Sequence, residues 1–231
     1  MEGAPDTSLP IFPLAGRQSI EQRVATSLRG LIVAGQLTEG TPLVQRDLAM
    51  RLGVSQTPVR AGLSQLEREG FVELGPTGRA VVSRLTREDF EEIYATRYGL
   101  EGLAARVGAV AVGPDDLGAM RDALAQLGDA ANRQDVEVYL RLRWDFYSAC
   151  YGASGRTRLV DQVERLYHRS ERYNRIVLST PQRFRQSLSR YSSFLAACRA
   201  RDGLAAERVV QESLSWAVER VAATLPSEAD A

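Results

Sequence analysis

The stretch that decides the fold is Leu43-Val44-Gln45-Arg46-Asp47-Leu48-Ala49 followed by Gly53-Val54-Ser55-Gln56-Thr57-Pro58-Val59-Arg60-Ala61-Gly62-Leu63. Val44 to Arg51 fits a short helix and Gly53 supplies a turn. Ser55 or Thr57 can cap the next helix, which carries Pro58 in its first turn and runs to about Glu69, where Gly70 closes it. Upstream, Ile20, Val24, Leu28, Leu31 and Ile32 recur at helical spacing from Ser19 until Gly35 ends the run. Downstream, Phe71-Val72-Glu73-Leu74 and Ala80-Val81-Val82 flank the turn Gly75-Pro76-Thr77-Gly78-Arg79, the pattern of a β-hairpin. Three helices and a hairpin in this order outline a winged helix-turn-helix.

The polar residues of this unit suit a DNA surface. At an exposed helix start, Thr57 and Arg60 can enter the major groove, where arginine pairs in bidentate fashion with guanine. Arg46, Ser55 and Thr57 can reach phosphates, which fixes register without reading bases. Gly78 and Arg79 fall at the wing tip, where glycine permits close approach and arginine suits the minor groove. Arg68, flanked by Glu67 and Glu69, reads as an ordinary solvated face.

The run from Leu43 through the helix-turn-helix to Phe71, and on through the wing to Val82, resembles the GntR family of bacterial transcription regulators. The resemblance implies sequence-specific binding of double-stranded DNA by a homodimer on a roughly palindromic operator, with repression the commoner outcome. Two positions depart from the family pattern: Gln56 stands where Arg is common, and Ala61 where Glu is common. Glutamine pairs with adenine where arginine prefers guanine, so the operator is expected to differ at the base read there.

From Thr86 onward the periodicity is helical throughout. Thr86 with Asp89 resembles a capping box, and the helix after it carries Phe90, Ile93, Tyr94, Arg97, Leu100, Glu101, Ala104 and Val107 on one side. Gly113-Pro114-Asp115 starts a second helix, with further ones expected over about 134–151, 157–179, 181–200 and 203–225. Six helices with short breaks predict an antiparallel bundle. The fold class is therefore mainly α: a mobile arm over 1–17, a winged helix-turn-helix over 18–84, an all-helical domain over 85–226 and a tail over 227–231.

This second part resembles the ligand-binding domain of the FadR subfamily, called FCD. The resemblance rests on Arg97-Tyr98-Gly99-Leu100-Glu101-Gly102-Leu103-Ala104-Ala105, on Phe146 followed by Ala153-Ser154-Gly155, and on Arg201-Asp202 with Ala205-Ala206. It implies an effector-binding and dimerising role. Many members hold a divalent metal with an Asp and three His. Here Arg143, Tyr147, Tyr191 and Ser213 stand in those places. A guanidinium ligates no cation, so a metal-free pocket without cofactor is expected.

Spacing turns Arg143 inward, in the series Val136, Tyr139, Leu140, Arg143, Phe146, Tyr147, Cys150, and turns Arg97 inward likewise. A buried unpaired cation is costly, so each requires an anion or dense hydrogen bonding. Two readings follow: a small anionic metabolite, carboxylate or phosphate, held by Arg97 and Arg143 with the hydroxyls of Tyr147, Tyr191 and Ser213; or an internal salt bridge from either arginine to Glu101 or Glu212, with no ligand. His168 reads as a boundary residue beside the inward Tyr167.

Composition narrows the alternatives. The chain has 231 residues with 29 basic side chains, all of them Arg, against 29 acidic ones, a single His and two Cys. One histidine excludes a multi-histidine metal site, and Cys150 and Cys198 read as small buried side chains of a protein in a reducing cytoplasm. No signal peptide and no membrane span are seen in the sequence. No phosphate-cradling loop, Cys–His pair or nucleophile elbow points to an enzyme. The competing reading is a ligand-independent or general DNA-binding protein with a purely structural helical domain. The zero net charge conceals a segregation: −2 over 1–16, +3 over 17–84, −6 over 85–140, +9 over 141–201 and −4 over 202–231.

Overall fold

The computed structural model describes residues 19–75, 79–177 and 181–227. Chain contacts divide it into two units, with the division between Arg84 and Leu85.

In the first unit, α1 (Ile20–Val33) begins at Ser19, whose hydroxyl accepts from the Gln22 amide while the Gln22 side chain accepts from the Ser19 amide. This reciprocal cap satisfies two otherwise orphaned donors. Strand β1 (Pro42–Leu43) leads into α2 (Gln45–Leu52), and Gly53, at φ 65°, makes the left-handed turn into α3 (Gln56–Arg68). Strands β2 (Val72–Leu74) and β3 (Ala80–Val82) form the hairpin, and β1 joins its free edge in the antiparallel order β1-β3-β2. The sequence outline contained the hairpin but not β1, which is too short to show any alternation. Val24, Leu28, Val59, Leu63, Leu66, Phe71 and Val82 form a core with essentially no exposure.

In the second unit, α4 (Arg87–Ala111) is capped by Thr86, whose hydroxyl accepts from the Asp89 amide, 3.2 Å away. Helix α5 (Pro114–Arg133) starts with Pro at its first position, as the missing N–H allows. Helices α6 (Val136–Ala153), α7 (Thr157–Arg169), α8 (Glu171–Val177), α9 (Pro181–Arg199) and α10 (Gly203–Val221) follow, with a 3₁₀ turn at Ala222–Thr224. Helix α4 packs on α10 with their ends reversed: the Arg87 amide donates to the Pro226 carbonyl, while Gly203 abuts the Arg106 carbonyl.

One expected element is divided. The helix anticipated over 157–179 is two helices, α7 and α8, so the described bundle has seven helices rather than six. At the break the Ser170 hydroxyl donates back to the Tyr167 carbonyl at 2.7 Å, competing with the helical ladder. The last helix also ends sooner than expected, at Val221, where the chain tightens into the 3₁₀ turn.

Candidate functional site

The DNA-facing residues named from sequence gather at the start of α3 and α2. Ser55, Gln56, Thr57 and Arg60 are all exposed at the cap and in the first two turns of α3, while Pro58 and Val59 between them are buried and hold this end of the helix on the core. Ser55 takes the N-cap position but makes no side-chain cap bond, so its hydroxyl is not committed to that role. Arg46 lies in the first turn of α2 with its side chain 81% exposed and only a loose approach to Asp47, 3.7 Å. Arg79 is exposed beside β3. Gly78 lies outside the described residues. This unit therefore presents a helix N-terminus and unneutralised guanidinium groups to solvent, the arrangement that positions a protein on phosphates and base edges.

In the helical unit Arg97 and Arg143 do point inward, but they are satisfied differently. Arg97 is fully buried; its Nε donates to Glu101 Oε1 at 2.5 Å and its Nη1 to Ser170 Oγ at 2.9 Å. Tyr151 donates to the other oxygen of Glu101 at 3.2 Å. Burial, the largest cause, would lower the pKa of Arg97, but the Glu101 carboxylate and Tyr94 together leave the guanidinium above its ordinary value. For Arg97 the internal salt bridge is thus present, while its Nη2 remains buried with no hydrogen-bond partner among the described residues.

Arg143 is half-buried on α6, its Nη1 donating to Asn174 Oδ1 at 2.8 Å, and its guanidinium lies over the Tyr167 ring, 5.2 Å from the centroid. No carboxylate pairs with it among the described residues. Tyr94 donates to the same Asn174 oxygen at 3.0 Å. Asn174 and Ser170, both fully buried, come from α8 and from the break before it, and neither was anticipated from sequence.

Tyr147 and Tyr191 are buried with their rings edge to face, 5.5 Å between centroids. Burial, the largest cause, pushes both phenols up, so they stay protonated donors. Ser213 is half-buried on α10 and makes no hydrogen bond with a described residue. Arg143, Tyr147, Tyr191 and Ser213 are therefore a guanidinium, two protonated phenols and one neutral hydroxyl. They do not fit a divalent cation, because they include no carboxylate, imidazole or thiolate and the guanidinium carries a permanent positive charge. Among the described residues no three His, Cys, Asp or Glu side chains come together as a metal site. His168 is half-exposed, with Nδ1 2.6 Å from Glu171 Oε1 and Nε2 3.8 Å from Glu164.

Residues 92–215 match the FCD domain, and residues 20–82 match the bacterial regulatory proteins of the gntR family. The chain is a GntR-family transcription regulator with an FCD domain. This regulator is 27% identical to the HTH-type transcriptional regulator McbR of Escherichia coli K12 over 186 residues, 80% of this chain and 84% of that one. The gluconate operon transcriptional repressor of Bacillus licheniformis is 39% identical over 85 residues, 37% of this chain and 35% of that one. Among solved structures, E. coli McbR/YncC superposes with TM-score 0.75 at 25% identity, covering 88% of this chain and 99% of that chain. A GntR regulator from Rhodococcus sp. RHA1, at 23% identity, shares the fold with TM-score 0.74 over 88% of this chain and 98% of that one. Relatives of this kind are named as regulators rather than enzymes, and this GntR-family chain is read accordingly.

Proposed function

We propose that this regulator acts in the cytoplasm as a homodimeric repressor on a pseudo-palindromic operator, and that a small anionic metabolite bound without metal in the FCD domain sets its DNA affinity. Arg46, Ser55, Gln56, Thr57, Arg60, Gly78 and Arg79 make the DNA contacts. Arg143 is the anchor of the effector, assisted by Arg97, Tyr147, Tyr191 and Ser213.

The observation that carries this reading is the contrast between the two inward arginines. Arg97 has the Glu101 carboxylate, whereas Arg143 has only the neutral oxygen of Asn174 and an aromatic face. A half-buried positive charge without a carboxylate partner, beside protonated phenols, favours an anion whose oxygens accept from them. Coupling to DNA follows by linkage: an effector that binds one arrangement of the FCD domains 10–100-fold better shifts DNA affinity by about 1.4–2.8 kcal/mol.

A thermal-shift screen of organic acids and sugar phosphates tests the effector half. Stabilisation by at least one anion, lost in Arg143→Ala, supports it. A screen in which no anion raises the melting temperature favours the competing reading, a structural domain in which Asn174 and Tyr167 suffice for Arg143. Elemental analysis tests the metal-free part, since stoichiometric zinc, nickel or manganese would contradict it.

A further inference from the structure

We infer that Asn174 is the residue that makes the effector site selective for an ionised acid. Its side-chain oxygen holds the Arg143 guanidinium in place without neutralising it, and so keeps that charge for the head of the ligand. This rests on the anionic effector proposed above and adds a positioning residue to that site.

Asn174 is fully buried on α8, the short helix that follows the break at Ser170. A guanidinium only donates hydrogen bonds, so the amide atom that faces Arg143 Nη1 at 2.8 Å is the oxygen. The same oxygen accepts from the Tyr94 hydroxyl at 3.0 Å, which occupies its second lone pair. On the other side Nδ2 donates to Ser170 Oγ at 3.3 Å. That hydroxyl also accepts from Arg97 Nη1 at 2.9 Å while donating to the Tyr167 carbonyl. Donors and acceptors match at every contact, and the amide has one orientation only. A single side chain from α8 thereby fixes Arg143 on α6 and, through Ser170, Arg97 on α4.

The two inward arginines are treated differently. Arg97 is met by the Glu101 carboxylate at 2.5 Å. Aspartate has the shape of asparagine, and at position 174 it would set a carboxylate oxygen where the amide oxygen now stands, 2.8 Å from Arg143. The protein thus uses a carboxylate for one guanidinium and a neutral amide for the other. Arg143 Nε and Nη2 make no hydrogen bond among the described residues, and neither does Arg97 Nη2. Besides burial, the charge on Arg143 acts to lower the Arg97 pKa, so an anion between the two cations relieves both. A deprotonated carboxyl or phosphoryl head matches these free donors, and its charge-assisted bonds are stronger than those of a neutral amide or ester of the same shape.

The test compares Asn174→Asp with Asn174→Ala in the full chain and in phosphate-free buffer. Thermal shift and titration calorimetry are run with acetate, succinate, citrate, benzoate, inorganic phosphate and glucose 6-phosphate. Wild type is expected to be stabilised by at least one of these. Without any anion, Asn174→Asp should melt no lower than wild type, because the new carboxylate pairs with Arg143. Anion affinity should fall by roughly tenfold in Asn174→Ala, where Arg143 loses its anchor, and by roughly a hundredfold or more in Asn174→Asp. That order separates charge from shape: a merely structural Asn174 predicts the reverse, since aspartate keeps the form of the side chain and alanine removes it. Binding by Asn174→Asp equal to or tighter than that of Asn174→Ala overturns the role of Asn174, and so does an Asn174→Asp chain that melts several degrees below wild type. Both results leave the anionic effector standing. A wild type stabilised by none of the six anions counts against the effector reading itself, and the role of Asn174 falls with it.

Discussion

Arg97 Nε and Glu101 Oε1 meet at 2.5 Å one turn apart on α4, with side chains 0% and 2% exposed. Removing one member of such a pair strands the other charge in the protein interior. Glu101→Gln is expected to cost about 3–5 kcal/mol of stability in urea denaturation. Replacing both residues by leucine should recover much of that loss, since neither charge is then stranded.

Arg143 should behave in the opposite way. Its substitution by Gln removes one hydrogen bond to Asn174 and one contact with the Tyr167 ring, and strands no carboxylate. The expected stability loss is about 1–2 kcal/mol, well below that of Glu101→Gln, together with complete loss of anion-induced stabilisation. Denaturation and thermal shift on the same samples separate the two effects.

At the DNA surface the residues should divide by role. Arg46→Ala is expected to weaken binding evenly across sequences and to lower the salt slope of log K by about 1. Arg60→Ala should cost about 1–3 kcal/mol and relax preference at one operator position. Gln56→Arg should move preference at one base from adenine toward guanine. Binding-site selection with the three variants measures each outcome, and an unchanged preference for Gln56→Arg would sink the assignment.

The close contact between α4 and α6 gives a sharper stability prediction. A Cβ at position 108 would fall 2.2 Å from the Cys150 carbonyl, an atom of backbone that cannot rotate away. Gly108→Ala is therefore expected to destabilise the helical unit by about 1–3 kcal/mol, the range for overpacking.

Cys150 and Cys198 lie fully buried with their sulfurs 3.6 Å apart. The neighbouring thiol, and after it burial, pushes the Cys150 thiol far up, so it stays protonated at all ordinary pH. Thiolate is the nucleophile, and a thiol-specific reagent at pH 8 should react with Cys150 only once urea has unfolded the chain. Rapid labelling of the native protein would contradict this packing.

Much of the DNA-reading unit was legible because its signals are local. Caps, the turn glycine and the apolar face of α3 sit within a few residues of one another. Strand β1 was not legible: its two residues exist as a strand only through pairing of Pro42 with Val81 and Leu43 with Ala80. In the helical unit, spacing alone turned Arg97 and Arg143 inward, and Glu101 as a partner for Arg97 is a simple one-turn neighbour. Asn174 could not be found that way. It meets Arg143 from 31 residues and Tyr94 from 80 residues away in the chain, across elements whose docking no local pattern encodes. The break at Ser170 was hidden for a related reason, because the backbone bond from the Asn174 amide to the Ser170 carbonyl carries the helical repeat straight through it.

The two apolar cores, one around Val24, Val59 and Phe71 and the other around Phe90, Phe146 and Phe194, share no residue. If each unit melts as its own cooperative block, one free energy of unfolding does not describe the chain. Calorimetry should resolve two heat-absorption peaks. An effector is expected to raise chiefly the peak of the domain that binds it and operator DNA chiefly the other, with the linkage between them showing as a smaller shift of the second peak.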